Sequence, residues 1–517
     1  MTGLTAAADA LRIRAEEDLG GNTASRLVIR TASAHHKLKL PDAVAQSIGF
    51  MGPVFSIAFL IPLLVGINAT SKGAGGAAPL AVLVAAIGIL GLGWIVAEYA
   101  KRIHAAGSLY DYVTDGLGSR VGAAAGWLYY SGIIVLGGAI LVLIAGYVHD
   151  TLQAEFNVTP LPVGGWMVVL IVLISAILYA GVQLSTRAQL VLAMVSLTLL
   201  TIFFIYIIAK VGSGNSAKAF NPSSSPTHLS GVLFGVLYGV LLFVGFETAA
   251  NLAEETEHPK RDIPRAVLFA VIAATVFYLI GSYAQVAGFH FDLGKIAKVA
   301  SAPLFALAGP SSQGGYGSVA IRRLTELLVL FDMLAVLIGI SVSGPRGLFA
   351  MARDRRLPPF LAAVSPKRGT PVGANIFVVA CYAVWALLTA FWTGLFALPA
   401  TPHYFAMFSW GSTFGSFALI LIYLLLAVGA VRGLRDHPRR WAVYLAVTVS
   451  LLVSGGAIFG SIYKVTAPTV IAPYAAIGWF IVGLVVALVV HGRPQASHAV
   501  ADLSESPDSA LRHPSGP

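Results

Sequence analysis

Charge is scarce in this 517-residue sequence. Only 11% of its residues are Asp, Glu, Lys or Arg, against about 25% in a soluble domain. With 57% hydrophobic residues and long apolar runs recurring along the chain, that deficit argues against a soluble fold. It predicts an all-α polytopic membrane protein with the lipid bilayer as its main partner. Cysteine is nearly absent: Cys381 stands alone in an apolar run. Neither an internal disulfide nor a cysteine metal site can form, and the thiol is expected to pack as a small hydrophobe. No zinc motif and no G-x-S-x-G nucleophile occurs, and the twelve histidines are scattered, which argues against a membrane enzyme. Residues 1–40 carry no apolar core, so no cleavable signal peptide is expected. The net charge of +10 does not point to nucleic acid, because the basic residues lie between apolar runs in alternate loops.

A window of about 20 apolar residues per span predicts twelve membrane helices. Their expected limits are 44–67, 78–100, 122–148, 162–182, 187–209, 229–252, 266–288, 324–350, 373–397, 404–430, 440–463 and 470–491. Residues 1–40 read as a cytoplasmic tail and 492–517 as a disordered one. With both termini inside, 25 of the 33 Lys and Arg residues fall on the inner side, as the positive-inside rule requires. The helix count and the orientation support each other. Two longer segments fall outside: a Ser-, Asn- and Pro-rich loop over 211–228, and 290–321, where one short helix over Leu293–Leu307 is expected.

Two of the expected spans are interrupted. The first reads QSIGFMGPVFS from Gln46 to Ser56. Proline removes an amide donor and favours the first turn of a new helix. An unwound stretch over Ser47–Gly52 and a second half-helix from Pro53 are therefore expected. The free amides at that half-helix start suit a carboxylate. The sixth span carries Gly239 and Gly245 and continues into a charged run from Glu254 to Arg265. It lies five helices on and runs the opposite way. Interrupted segments at matching positions of two five-helix halves point to an inverted-repeat transporter. The halves are 44–210 and 229–430, and two further helices fill 438–491. The substrate, a small molecule, is expected near the midplane between the two breaks.

Four blocks of sequence resemble the amino acid–polyamine–organocation permeases. They are the glycine-rich first span, Ala97–Val113 with its A-G-x-x-Y core, Gly245–Ala266 (G-F-E, E-E, P-K-R-D-I-P-R-A), and Ser343–Pro358 followed by Thr370-Pro371. They occur in order over 44–375. The resemblance implies the LeuT-type five-plus-five fold with two extra helices, and a permease for amino acids or related amines. A polyamine or organic-cation importer, an exchanger, a channel and a transporter-like sensor remain alternatives, and no oligomeric state is implied.

The expected substrate contacts are backbone groups of Ser47, Gly49, Phe50, Met51, Gly52 and Pro53, carbonyls from Gly239 to Gly245, and the side chains of Leu241 and Phe243. Leu241 stands where some family members place a bulky aromatic. Phe50 and Phe243 are candidate gates. Glu247 is the leading ionisable candidate, because an acid at membrane depth is costly and defaults to a functional hypothesis. The matching family glutamate is held to respond to pH. Asp332 is the second intramembrane acid and a candidate counter-ion for a substrate amine. Ser341 and Ser343 are candidate oxygen ligands for a coupling cation. Some proton-coupled members fill that site with a lysine on the fifth helix; here Ser196 stands at about that position. The coupling ion, H+ or Na+, stays open, and no cofactor is expected. The runs Glu254–Arg265 and Arg353–Arg368 carry opposite local charges. They read either as an inner gate that pairs in one state and separates in another, or as retention of topology by positive charge. Tyr110 and Tyr112 are expected as interface anchors.

Overall fold

The computed structural model describes residues 38–66, 72–103, 109–181, 186–252, 256–299, 302–365, 369–399 and 401–489. Residues 1–37 of the first expected tail, the whole of the second, Glu254-Glu255 and Lys367-Arg368 lie outside the described residues, as does the start of the A-G-x-x-Y block. Within them, twelve segments are long and apolar enough to cross a membrane. Because twelve is even, the described chain begins and ends on one face, called the terminal face below.

The first span consists of α1 (Leu40–Met51) and α2 (Pro53–Val65). The second is α3 (Ala78–Ala100), followed by a short helix α4 (Leu109–Leu117) and the third span, α5 (Ser119–Phe156). The fourth and fifth are α6 (Val163–Ala180) and α7 (Thr186–Val211). The sixth is α8 (His228–Leu241) with a 3-10 helix over Phe246–Leu252, and α9 (Pro259–Gly288) is the seventh. Then come the short helices α10 (Leu293–Lys298) and α11 (Pro303–Ala308). The last five spans are α12 (Val319–Arg353), α13 (Val372–Phe391), α14 (His403–Gly433), α15 (Arg440–Ile462) and α16 (Ile471–Val489). Two short helices thus replace the single helix expected over Leu293–Leu307. The P-K-R-D-I-P-R run is helical: Pro259 opens α9, where a missing amide costs little, and Pro264 lies inside the helix, where it leaves the Lys260 carbonyl without its helical donor.

Burial separates the spans into two classes. The most apolar stretches of spans one, three and six are 94%, 83% and 83% buried, whereas those of spans four, nine and twelve are 22%, 28% and 28% buried. The former make the protein's centre. The latter turn side chains such as Val172, Leu387 and Val485 outward, as helices facing hydrocarbon do. The central helix α5 packs along α14, α12, α13 and α16. At 38 residues and about 1.5 Å per residue it outruns a bilayer core, so its far end stands clear of it.

The two interruptions are more compact than the sequence implied. In the first span residues 47–51 stay helical, and the break is Gly52 alone, at φ +53°. Pro53 has no amide to give Gly49, and Gly52 takes the left-handed turn that ends α1. In the sixth span α8 continues through Gly239 to Leu241. The chain then turns over residues 242–245 through short-range bonds, Phe243 N–H to Val240 O and Val244 N–H to Leu241 O, both 3.1 Å. Gly239 is therefore a packing glycine and not part of the break: a Cβ there would stand 2.8 Å from Ala85 Cβ on α3. At the terminal face, Leu38 pairs with Thr256 in a parallel bridge, and the Glu257 N–H donates to Leu38 O at 2.9 Å.

Candidate functional site: the crossing of two broken helices

The breaks touch at Gly245. A Cβ there would stand 2.6 Å from Phe50 Cδ1 and 3.0 Å from the Met51 amide nitrogen. Its φ of +111° is also one that L-residues avoid. Ser47 ties the two spans across this point. Its hydroxyl donates to Phe246 O at 2.9 Å and accepts from the Ala249 N–H at 3.3 Å. Beside the crossing lies a cavity of about 20 Å³, room for about one water. Phe50, Phe55, Leu136, Ile140, Leu241 and Val336 wall it. Ser56 is its polar side chain, and the hydroxyl donates to Met51 O at 3.0 Å. Leu241 thus stands at the cavity as expected. Phe243 does not: its ring packs edge-on against Tyr278 at 5.2 Å, and the Tyr278 hydroxyl donates to Leu242 O at 2.7 Å.

Asp332 lies at the start of α2. Its Oδ2 accepts the Phe55 N–H at 2.8 Å, and the Val54 amide also binds this carboxylate. The Ser56 N–H is spent on Gly52 O at 2.8 Å, and Pro53 has none. A helix leaves its first amides without intrahelical partners, and here the chain's own carboxylate takes them. The amides expected to meet a substrate carboxylate therefore meet Asp332.

Glu247 is fully buried in the sixth-span break. Oε2 accepts from the Gly245 N–H at 3.1 Å and from the Tyr423 hydroxyl at 3.5 Å, and Oε1 from the Tyr129 hydroxyl at 3.2 Å. One carboxylate thus gathers donors from the third, sixth and tenth spans.

The three serines are not brought together. Ser341 donates to Leu337 O at 2.6 Å and to Tyr382 on α13, and Ser343 donates to Ile340 O at 3.3 Å. Ser196 is buried on α7, a helix that packs against α1. Among the described residues, no hydrogen bond joins these serines to one another or to the first span. The short range of serine, back-bonded to its own helix, accounts for this.

Both approaches to the cavity are covered. On the face away from the termini, Phe59 contacts Tyr147 at 5.6 Å, Phe305 of α11 at 6.1 Å and Phe405 at 6.4 Å. Further out, the nearly buried Glu155 carboxylate holds Arg323 at 2.6 Å and also pairs with Arg322. On the terminal face, among the described residues, no ion pair joins 256–265 to 353–365. Glu257 meets His258 and Arg353 meets Asp354, each at 3.9 Å. Glu254-Glu255 and Lys367-Arg368 of the expected ionic gate lie outside the described residues; the contact described on this face is the main-chain bridge at Leu38. Tyr110 and Tyr112 are buried and not at an interface. Tyr112 stacks on Tyr99 at 5.0 Å. Burial, with Asp354 and Asp111 nearby, pushes the Tyr110 hydroxyl up to about 12.

Sequence reasoning missed Tyr129, Tyr423 and Tyr278. Each lies far along the chain from the break it serves, and its only local signal is a phenol within an apolar run. Phe55 and Val336 were missed because apolar walls look like any core.

Two discontinuous helices crossing at mid-depth in a twelve-span bundle define a transporter of the LeuT fold. The chain belongs to the amino acid permease family, whose profile matches residues 49–491, and it is a membrane transporter and not an enzyme. It is 30% identical over 355 residues to an uncharacterised transporter of Mycobacterium tuberculosis, covering 68% of this chain and 73% of that protein. The branched-chain amino acid permease of Bacillus subtilis is 23% identical over 337 residues, covering 61% and 68%. The human cationic amino acid transporter 4 is 27% identical over 353 residues, covering 65% and 52%. Among solved structures, the manganese transporter of Eremococcus coleocola superposes with a TM-score of 0.50 at 12% identity, covering 86% of this chain and 94% of that one. That likeness concerns the fold.

Proposed function

We propose that the protein is a secondary active transporter of amino acids or related amines, working by alternating access, with the substrate held between the breaks of the first and sixth spans. The observation that carries this is the contact of Phe50 with Gly245 beside an apolar-walled cavity. A chain break is tolerated at membrane depth where it lines a binding cavity. The wall residues suit an apolar side chain. The ends of α1 and α8 direct carbonyls and their negative dipole ends toward the crossing, which suits an ammonium group.

With both faces covered, this is an occluded arrangement, and transport requires the covers to open in turn. Opening away from the termini separates Phe59 from Phe305; opening at the terminal face breaks the Leu38 bridge. The excess of Lys and Arg supports a cytoplasmic terminal face, and the plasma membrane is the proposed location. Glu247 is the proposed proton-coupling group. Protonation weakens its acceptor bonds to Tyr129, Tyr423 and the Gly245 amide, and so loosens the sixth-span break against the third and tenth. Ser196, Ser341 and Ser343 are the alternative, a cation site that forms only after rearrangement.

The test is uptake and counterflow in proteoliposomes with labelled amino acids and amines, under imposed proton and sodium gradients. Saturable uptake that responds to one gradient is the expected result. Absence of saturable uptake or exchange of any amine overturns the proposal.

A further inference from the structure

The assignment of the crossing as the substrate site leaves open which end of an amino acid it recognises. We infer that Asp332 permanently fills the place of a substrate carboxylate, so that the preferred cargo is a primary amine with an apolar body and no carboxylate of its own. This rests on the proposed location of the substrate site.

The argument is an account of backbone groups. At the start of α2, Pro53 has no amide hydrogen, the Ser56 amide is bonded to Gly52 O, and the Val54 and Phe55 amides are held by Asp332. No donor remains there for a second anion, and the first anion repels it. Asp332 also cannot withdraw cheaply. It is buried, and a carboxylate removed from its donors within the membrane loses its only compensation for desolvation.

The rest of the crossing is acceptor-rich. Gly49 O lacks the donor that residue 53 would supply in an unbroken helix, because that residue is proline. Helix α1 ends at Met51 and α8 at Leu241. Met51 O and Leu241 O each accept one bond, from the Ser56 hydroxyl and the Val244 N–H, but a carbonyl has two lone pairs, and both helices turn the negative poles of their dipoles to the crossing. Among the described residues, neither Lys nor Arg lines the cavity. Positive potential is therefore neutralised at α2 and negative potential remains: the site suits an ammonium. The wall itself is apolar, with Phe50, Leu136, Ile140 and Val336 around the space, so the body behind the ammonium is hydrocarbon. Asp332 and Val336 are four residues apart on α12, and both approach Gly52, which places the carboxylate one helical turn from the wall.

The decisive experiment compares three molecules with one hydrocarbon body: leucine, its decarboxylated counterpart 3-methylbutylamine, and the amine-free acid 4-methylpentanoate. Equilibrium binding to the purified full-length protein in detergent avoids leakage of the neutral amine across a bilayer. Wild-type protein should bind 3-methylbutylamine about tenfold or more tighter than leucine, and should not bind 4-methylpentanoate. In Asp332→Asn the amide oxygen still caps the Phe55 N–H while the charge is gone. That variant should lose about tenfold or more of the amine affinity and narrow the gap to leucine. Wild-type preference for leucine over the amine overturns the inference and leaves the transporter assignment standing, since it shows that Asp332 gives up the amides to a substrate carboxylate. Failure of leucine and the amine to bind, together with no saturable uptake of any amino acid, overturns both. If Asp332→Asn does not fold, the wild-type ranking decides alone.

Discussion

Replacing Gly245 by alanine isolates the contact between the two breaks. Three penalties converge there. The φ of +111° strains any L-residue by about 1–3 kcal/mol. The new Cβ meets Phe50 Cδ1 at 2.6 Å and the Met51 backbone nitrogen at 3.0 Å. The ring can shift but the backbone cannot without moving α1, an overpacking cost of about 1–3 kcal/mol. The Gly245 N–H, now bonded to Glu247 at 3.1 Å, must move with it. Taken together, about 2–6 kcal/mol opposes the occluded arrangement, and each ~1.4 kcal/mol is a factor of ten in its population. Gly239→Ala is the matched control. It is helical, carries no φ strain and gains about 1 kcal/mol of helix propensity, which offsets part of an overpacking cost of about 1–3 kcal/mol where its Cβ meets Ala85 Cβ at 2.8 Å and Ala81 O at 3.3 Å on α3. Counterflow in proteoliposomes, normalised to protein inserted, should fall by about tenfold or more for Gly245→Ala and by less than half that for Gly239→Ala. Equal losses for the two variants, or wild-type rates for Gly245→Ala, would refute the idea that close approach at this point is needed for transport.

Other expectations follow from the same geometry. Glu247→Gln should flatten the dependence of uptake on pH between about 5 and 8, the range in which a coupling carboxyl must exchange its proton; an unchanged profile removes Glu247 from coupling. Tyr129→Phe deletes one hydrogen bond to that carboxylate and should lower thermal stability by about 1 kcal/mol, with a shifted pH profile as the functional sign. Glu155→Gln leaves Arg322 and Arg323 without their shared carboxylate, and a loss of about 1–3 kcal/mol in unfolding is expected. Phe59→Ala opens the aromatic cover, and a cysteine introduced at Leu60 should then react faster with a membrane-impermeant thiol reagent added from the side away from the termini.

The fold was legible because its signals are long and redundant. An apolar run of about 20 residues is hard to hide, and the sequence carries twelve of them. The breaks were legible as well, since proline and glycine mark them chemically, but their extent was not. Sequence cannot tell a glycine that packs, such as Gly239 against Ala85, from one that bends the chain, such as Gly245. The partners of the buried acids were out of reach for a different reason. Tyr129 and Tyr423 meet Glu247 across 118 and 176 residues of chain, and Asp332 meets Phe55 across 277. Contacts of that separation are fixed by how the spans pack, which periodicity does not encode.

The bridge at Leu38 has a mechanical consequence. It fastens the residue just ahead of α1 to the chain just beyond the sixth-span 3-10 helix, main chain to main chain. The two broken spans are thus hitched together at the terminal face as well as touching at mid-depth. Two attachment points make a rigid link where one would make a pivot. While the hitch holds, the half-helices below the crossing can swing only as one body. Once it parts, each is free to move alone, so the order in which the hitch and the crossing let go determines whether the terminal face opens as a door or as two leaves.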